Sequence, residues 1–311
     1  MWFTDRADPN PRITVLQNAR RTSLYAFLTV AVTGLTAPAA TAESVAEDRR
    51  EAPRPDAVAR QHGVDARHGA PMGWRLRDGH DAAGPAAPQT APADPFRAEA
   101  AVPGMDVSGH TVGNDWKTWH GNGIEFAYIK ASEGDYLLNT KFAEQWTGAT
   151  QEGVVRGSYH FANPKVTDGA TQADYFIEHG GGWTPDDRTL PGALDIEWNP
   201  YEGNDCYDRT PAELQQFVAD FVGRYQERTG TRPIIYTARS WWDQCMGSSP
   251  SWRSTPLWIA RWTDSPGPLP DAWKGVEHTI WQNAAWEELG YDTDLFNGDL
   301  TALKAFATNG A

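Results

Sequence analysis

The chain has 311 residues, with 27 Lys and Arg against 41 Asp and Glu and a formal charge of −14, so nucleic acid is excluded as a natural partner. Its 40% hydrophobic and 12% aromatic content, with 29 Gly and 22 Pro, fits a loop-rich globular protein and excludes the fibrous classes. Residues 1–100 hold 12 basic and 12 acidic side chains, so the whole excess charge belongs to residues 101–311, which also hold 13 of the 15 Trp.

At the N-terminus, LYAFLTVAVTGL (residues 24–35) is an uncharged run of 12, too short to span a bilayer. Arg20 and Arg21 precede it and the small residues APAATA follow. This is a signal-peptide pattern, with Ala40 and Ala42 placing the cleavage after residue 42. Residues 43–101 contain 15 Ala and 7 Pro with mixed charges and no hydrophobic period. They are expected to form a disordered linker or pro-segment, because they offer too little apolar area to offset chain entropy. The folded domain is expected over residues 102–311.

Within it, eight short apolar or β-branched runs follow one another: GMDVS, EFAYIKAS, VVRGSYHFA, GALDIEW, RPIIYTA, PLWIARW, HTIWQ and YDTDLF. Helix-length segments separate the early ones. The clearest spans Pro211–Thr229, with Leu214, Phe217, Val218, Phe221, Val222 and Tyr225 on one face. Thr210 is its predicted N-cap, Glu213 completes a capping box, Pro211 fits the first turn and Gly230 ends it. After the fifth strand the gaps turn irregular and proline-rich, as in TDSPGPLP. Alternating strands and helices predict an α/β fold with a parallel sheet, and eight strands in this length suggest a modified TIM-like barrel with reduced helices in its second half. A doubly wound open sheet is the competing topology. It gains nothing from nucleotide motifs, since neither G-x-G-x-x-G after the first strand nor G-x-x-x-x-G-K-[ST] is present. Cys206 and Cys245 are the only cysteines; in an exported protein an isolated pair is expected to form a disulfide, a structural zinc needing four close ligands.

Acidic residues gather at the ends of these strands: Asp106, Asp195 with Glu197, and Asp292 with Asp294. In a parallel barrel such ends share one rim. Two residues apart on a strand, Asp195 and Glu197 point to one face, their backbones roughly 6.6 Å apart. Two carboxylates so close in an apolar run are unfavourable unless one keeps its proton, and a protonated carboxyl beside an ionised one is what glycoside hydrolysis uses. A bare D-x-E is common, and a solvated pair is its bland reading. Here Leu194, Ile196 and Trp198 flank the pair. Aromatic residues near the strand ends, Tyr159, Trp198, Tyr236, Trp262 and Trp281, suit the apolar face of a pyranose ring, although each taken singly is more often a core residue.

Other chemistries fit less well. His160 in SYHF lacks a partner His at zinc-site spacing, Ser158 lacks the G-x-S-x-G elbow, and neither Cys has a nucleophile context.

The segments GMDVSGH, FAYIKASEG, GSYHFA, ALDIEW, PIIYTA, LWIARW, IWQ and DTDLFNG, in this order over residues 103–308, resemble glycoside hydrolase family 25, the Chalaropsis-type lysozymes. The resemblance implies a modified eight-stranded barrel with fewer than eight helices. It also implies an N-acetylmuramidase acting on the β-1,4 bond between N-acetylmuramic acid and N-acetylglucosamine, with no metal or organic cofactor. By position, Glu197 matches the family's proton donor, Asp195 its neighbouring carboxylate and Asp106 the acidic residue of the first strand. Asp292 matches the acidic residue of the last strand, and Tyr159, Tyr236, Trp281 and Gln282 match groove positions, with Trp262 a further sugar platform. Lys130 and Glu133 also match. Asp294 stands where family members often have Asn. The expected protein is a secreted monomer of the extracellular space or cell wall, with peptidoglycan strands as partner and no membrane span once the signal is removed. A chitinase-like glycosidase and a catalytically silent wall-binding protein are the alternatives.

Overall fold

The computed structural model describes residues 51–76, 101–286 and 290–311, all within one compact unit. The predicted signal peptide lies outside the described residues, as do residues 43–50 and 77–100 of the predicted linker. No helix among the described residues is long and apolar enough to cross a membrane.

Nine strands form one sheet: β1 (Ala101–Val107), β2 (Phe126–Glu133), β3 (Leu137–Leu138), β4 (Val155–Phe161), β5 (Ala193–Asp195), β6 (Ile234–Ala238), β7 (Leu257–Ala260), β8 (Ile280–Trp286) and β9 (Tyr291–Asn297). Their order is β1-β9-β8-β7-β6-β5-β4-β2-β3, and β1 also pairs with β2, which closes eight strands into a barrel with the two-residue β3 appended. The eight sequence runs each contribute one barrel strand. The barrel is mixed: β1, β2 and β4 to β8 pair in parallel, whereas β9 runs antiparallel to both β8 and β1. Only four residues lie between β8 and β9, too few for a crossover helix, which is why β9 can pair antiparallel.

That reversal keeps the acids together. Asp292 lies near the start of β9 and pairs with Asp106 near the end of β1, so an antiparallel strand brings its first residues to the rim where the parallel strands end. Asp294, two residues on, pairs with Gly104 and Gln282 and lies deeper.

Helix α5 (Pro211–Thr229) has the predicted bounds, the full Thr210–Glu213 capping box, and Gly230 in the left-handed conformation at φ 83°. Its six predicted apolar residues are all buried. They pack with α4 (Gly169–Phe176), whose Phe176 ring stacks on those of Phe221 at 6.2 Å and Tyr225 at 5.9 Å. Earlier in the barrel are α2 (Trp116–Gly121) and α3 (Phe142–Gln151). After β6, among the described residues, only the seven-residue α6 (Arg239–Cys245) and a single 3-10 turn follow until the last helix, α7 (Leu300–Asn309), as the irregular gaps predict. Cys206 and Cys245 are joined with Cα atoms 5.4 Å apart, tying the loop after β5 to α6.

Residues 51–76 depart from the expectation of a structureless linker. They begin with α1 (Ala57–Gln61), capped by Asp56, and then cross the barrel mouth in turns. Ala70, Met72, Trp74 and Leu76 are buried within the barrel's own hydrophobic cluster. The segment has no periodic face of its own; its apolar side chains find their partners only on the folded barrel, which composition and periodicity do not show.

Candidate active site

Strand alternation turns Lys130, Tyr159, Asp195, Tyr236, Trp258 and Gln282 inward, as their cross-strand register requires. β5 ends at Asp195, and Glu197 lies just beyond it, where the Ile196 N–H still donates to the Tyr236 carbonyl at 3.0 Å. Both carboxyls are buried.

Gln282 is the centre of the opposite wall. Its Nε2 donates to Asp106 Oδ2 at 2.8 Å and Asp292 Oδ2 at 3.3 Å. Its Oε1 accepts from the Tyr236 hydroxyl at 2.8 Å and the Trp262 indole N–H at 3.1 Å. One fully buried amide thus gathers four of the predicted site residues. Beneath them Trp258 donates its indole N–H to Asp294 Oδ1 at 2.9 Å. Burial, then the charges of Asp106 and Asp292, push the Asp294 carboxyl well above its ordinary range, while the Trp258 indole N–H opposes the rise.

Asp195 is also pushed well above the ordinary carboxylate range, by burial first and by the charge of Glu197 next, with Lys130 opposing. Neither of its side-chain oxygens has a hydrogen-bond partner among the described residues. Glu197 Oε1, by contrast, accepts the backbone N–H of Gly73 at 2.6 Å. The expected holder of the retained proton is Glu197; in this state Asp195 is the carboxyl driven towards its acid form.

Below the rim, Lys130 and Glu133 form a fully buried ion pair at 2.5 Å. Glu133 also accepts from the hydroxyls of Tyr136 and Tyr201 and from the Ala70 N–H. Tyr159 is buried beside Asp106 and Asp195, and burial pushes its phenol well up. Trp281 stands apart: it pairs with Ile259 and Leu295 on the outer side of β8, next to inward Gln282, and its indole N–H donates to the Arg261 carbonyl at 2.7 Å. His160 also faces outward, its ring against Phe176 and Phe221 and its nitrogens bonded to Ser132 and Gln172. Burial lowers it to about 3, so it packs as a neutral residue. Among the described residues one trio, Asp65, His68 and His110, has metal-ligand atoms within 4.8 Å of one another. It lies where residues 51–76 meet the barrel, with His110 Nε2 2.9 Å from the Gly69 carbonyl.

A closed barrel with buried paired acids and an aromatic wall has counterparts of known kind. Residues 105–289 match the model of the glycosyl hydrolases family 25. The chain belongs to this family. It is 40% identical over 214 residues to the N,O-diacetylmuramidase of a Chalaropsis species, a match that covers 67% of this chain and 99% of that one. It is 39% identical over 249 residues to lysozyme M1 of Streptomyces globisporus, covering 77% of this chain and 81% of the other. The solved muramidase of Acremonium alcalophilum superposes with a TM-score of 0.64 at 44% identity, over 67% of this chain and 99% of that one. As a family 25 member of the lysozyme and muramidase type, the protein is a glycoside hydrolase.

The docking of residues 68–76 is not expected from composition or periodicity. A signal was present in GAPMGWRL, where Gly69 and Pro71 lead into Met72 and Gly73 separates it from Trp74, with Leu76 following: turns that present large apolar side chains need a surface to present them to.

Proposed function

We propose that the protein is a secreted muramidase that hydrolyses the β-1,4 bond between N-acetylmuramic acid and N-acetylglucosamine in peptidoglycan. Export rests on the leader pattern of residues 20–42. The substrate rests on relatives described as lysozymes and N,O-diacetylmuramidases. The observation that carries the chemistry is the burial of Asp195 and Glu197 together at one barrel mouth, facing Asp106 and Asp292 across the Gln282 amide.

In this reading Glu197 in its acid form gives a proton to the glycosidic oxygen as the bond to the anomeric carbon breaks. Asp195 has both oxygens uncommitted and receives the N–H of the substrate's 2-acetamido group, turning that group's carbonyl oxygen towards the anomeric carbon. The resulting cyclic intermediate is opened by water, whose proton returns to Glu197. Two displacements at one carbon give retention. Asp106 and Asp292 hold the Gln282 amide, and Tyr159, Tyr236 and Trp262 form the sugar-facing wall.

Glu197→Gln is expected to lose at least about 100-fold in reducing-end release from purified peptidoglycan, as for a lost general acid; near wild-type turnover would end the assignment. Proton NMR of the first-formed anomer is expected to show retention, and an inverted product would remove the substrate-assisted step. Mass analysis of the fragments separates this activity from that of a chitinase-like enzyme, which would cut chitin rather than muramyl glycans.

A further inference from the structure

Residues 68–76 lie across the mouth in which the paired acids stand. The Gly73 N–H is bonded to Glu197. A Cβ added to Gly73 would stand 2.8 Å from Gln282 Oε1, 3.1 Å from the Tyr236 hydroxyl and 3.2 Å from the Trp262 ring. Gly73 therefore touches the acid on one side and the aromatic and amide wall on the other, which is the space a sugar ring between them would need. Its φ of 68° is one that glycine adopts without strain.

The rest of the segment is held on both sides of that point. Lys130 donates to the carbonyls of Ala70 at 2.6 Å and His68 at 3.3 Å, and the Ala70 N–H donates to Glu133 at 3.0 Å. Trp74 is buried and donates its indole N–H to the Trp198 carbonyl at 2.9 Å. Arg75 pairs with Asp205 and lies over the Trp198 ring at 4.8 Å. Further back, the Asp56 N–H donates to the Pro200 carbonyl at 3.0 Å.

We infer that residues 68–76 are a tethered inhibitor, which fills the glycan cleft and keeps the chain a precursor unable to take up peptidoglycan until the segment leaves. The inference rests on the muramidase reading for the identity of the excluded ligand, but not for the occlusion itself. Three observations favour inhibition over a purely structural role. The segment covers the acids rather than an outer face of the barrel. Its backbone supplies a donor to the one carboxyl that has to hold a proton for catalysis. The Chalaropsis muramidase matches 67% of this chain with 99% of its own length, so about a third of this chain has no counterpart in that relative. The Streptomyces globisporus match covers 77% of this chain, more than residues 101–311 supply, so part of that match lies in the preceding region.

Tethering makes even a modest contact effective. With an effective concentration of about 1 mM and an intrinsic Kd of about 10 µM, about 1% of molecules would be open.

The test uses the mature full chain and two variants that loosen the segment without touching the barrel, Gly73→Val and Trp74→Ser, with circular dichroism melts to verify folding. Reducing-end release from peptidoglycan is expected to rise at least about 10-fold in each, and Glu197→Gln placed in the Gly73→Val chain to abolish the gain. A fluorescein-labelled peptide of residues 64–76 is expected to bind the variants, by anisotropy, but not the wild-type chain, and to slow the variants competitively. Equal hydrolysis by wild type and both folded variants, with no peptide binding to any of them, would overturn the inference. Peptide binding confined to the variants, with no chain releasing reducing ends, would uphold the occlusion and instead refute the muramidase reading. If Gly73→Val fails to fold, Trp74→Ser and the peptide decide the matter alone; loss of folding in both variants would mark the segment as structural and also overturn the inference.

Discussion

At the scale of single residues, the mouth of the barrel is organised by polar groups that would be costly if left unmatched. Gln282 serves two acids with its nitrogen and two aromatic donors with its oxygen, so its removal takes one partner from each of four buried groups at once. Lys130 has a comparable role below. Its ammonium compensates Glu133 and opposes the rise of the Asp195 carboxyl. Replacing it with Met leaves Glu133 as a buried charge with only neutral donors. Such a change is expected to lower stability by about 3–5 kcal/mol, read as a lower midpoint in urea unfolding with little change in slope. An unchanged midpoint would show that the pair contributes nothing net. The identities of Asp106, Asp195, Glu197 and Asp292 were all legible in the sequence, because acids at the ends of apolar runs stand out against the pattern. Which of the two central carboxyls is driven towards the acid form was not. That depends on burial and on the charges of Glu197 and, opposing, Lys130, which only the closed barrel brings around Asp195.

At the scale of elements, helix α5 and the eight barrel strands follow from local rules. The helix carries its own start and stop signals, and the strands carry β-branched and aromatic runs. The direction of β9 does not follow from such rules. A strand's composition is indifferent to whether it runs with or against its neighbour; here the short connection from β8 decides, and it still delivers Asp292 to the correct rim. The Cys206–Cys245 bridge ties α6 to the loop whose Asp205 pairs with Arg75 of the docked segment and whose Asp205 carbonyl accepts the Trp241 indole N–H at 3.2 Å. Closing this loop of about 40 residues contributes roughly 4 kcal/mol in the chain-entropy model. The double change Cys206→Ser with Cys245→Ser is therefore expected to lower the unfolding free energy by about that amount, and a loss below about 1 kcal/mol in chemical denaturation would contradict it.

For the whole molecule, the charge of −14 belongs to the catalytic domain, although anionic wall polymers surround the proposed substrate. Like-charge repulsion should slow encounter at low ionic strength and fade as the screening length falls from about 30 Å at 0.01 M salt to about 8 Å at 0.15 M. Hydrolysis of anionic whole walls is expected to speed up severalfold over that range, while short neutral glycan fragments respond little. A rate that falls steadily with salt would place an attractive surface where none is evident from the net charge.

The sequence by itself determined the barrel class, the best-capped helix, the disulfide pair and the acids available for catalysis. Each of these is written in the nearest neighbours along the chain or in residue types that have few other uses. The tertiary structure alone decided that β9 runs backwards, that Trp281 faces outward while Gln282 faces in, and that residues 68–76 lie over the acids. These outcomes depend on which surfaces meet. A segment with no amphipathic period of its own gains order only from a surface that exists after the barrel has closed.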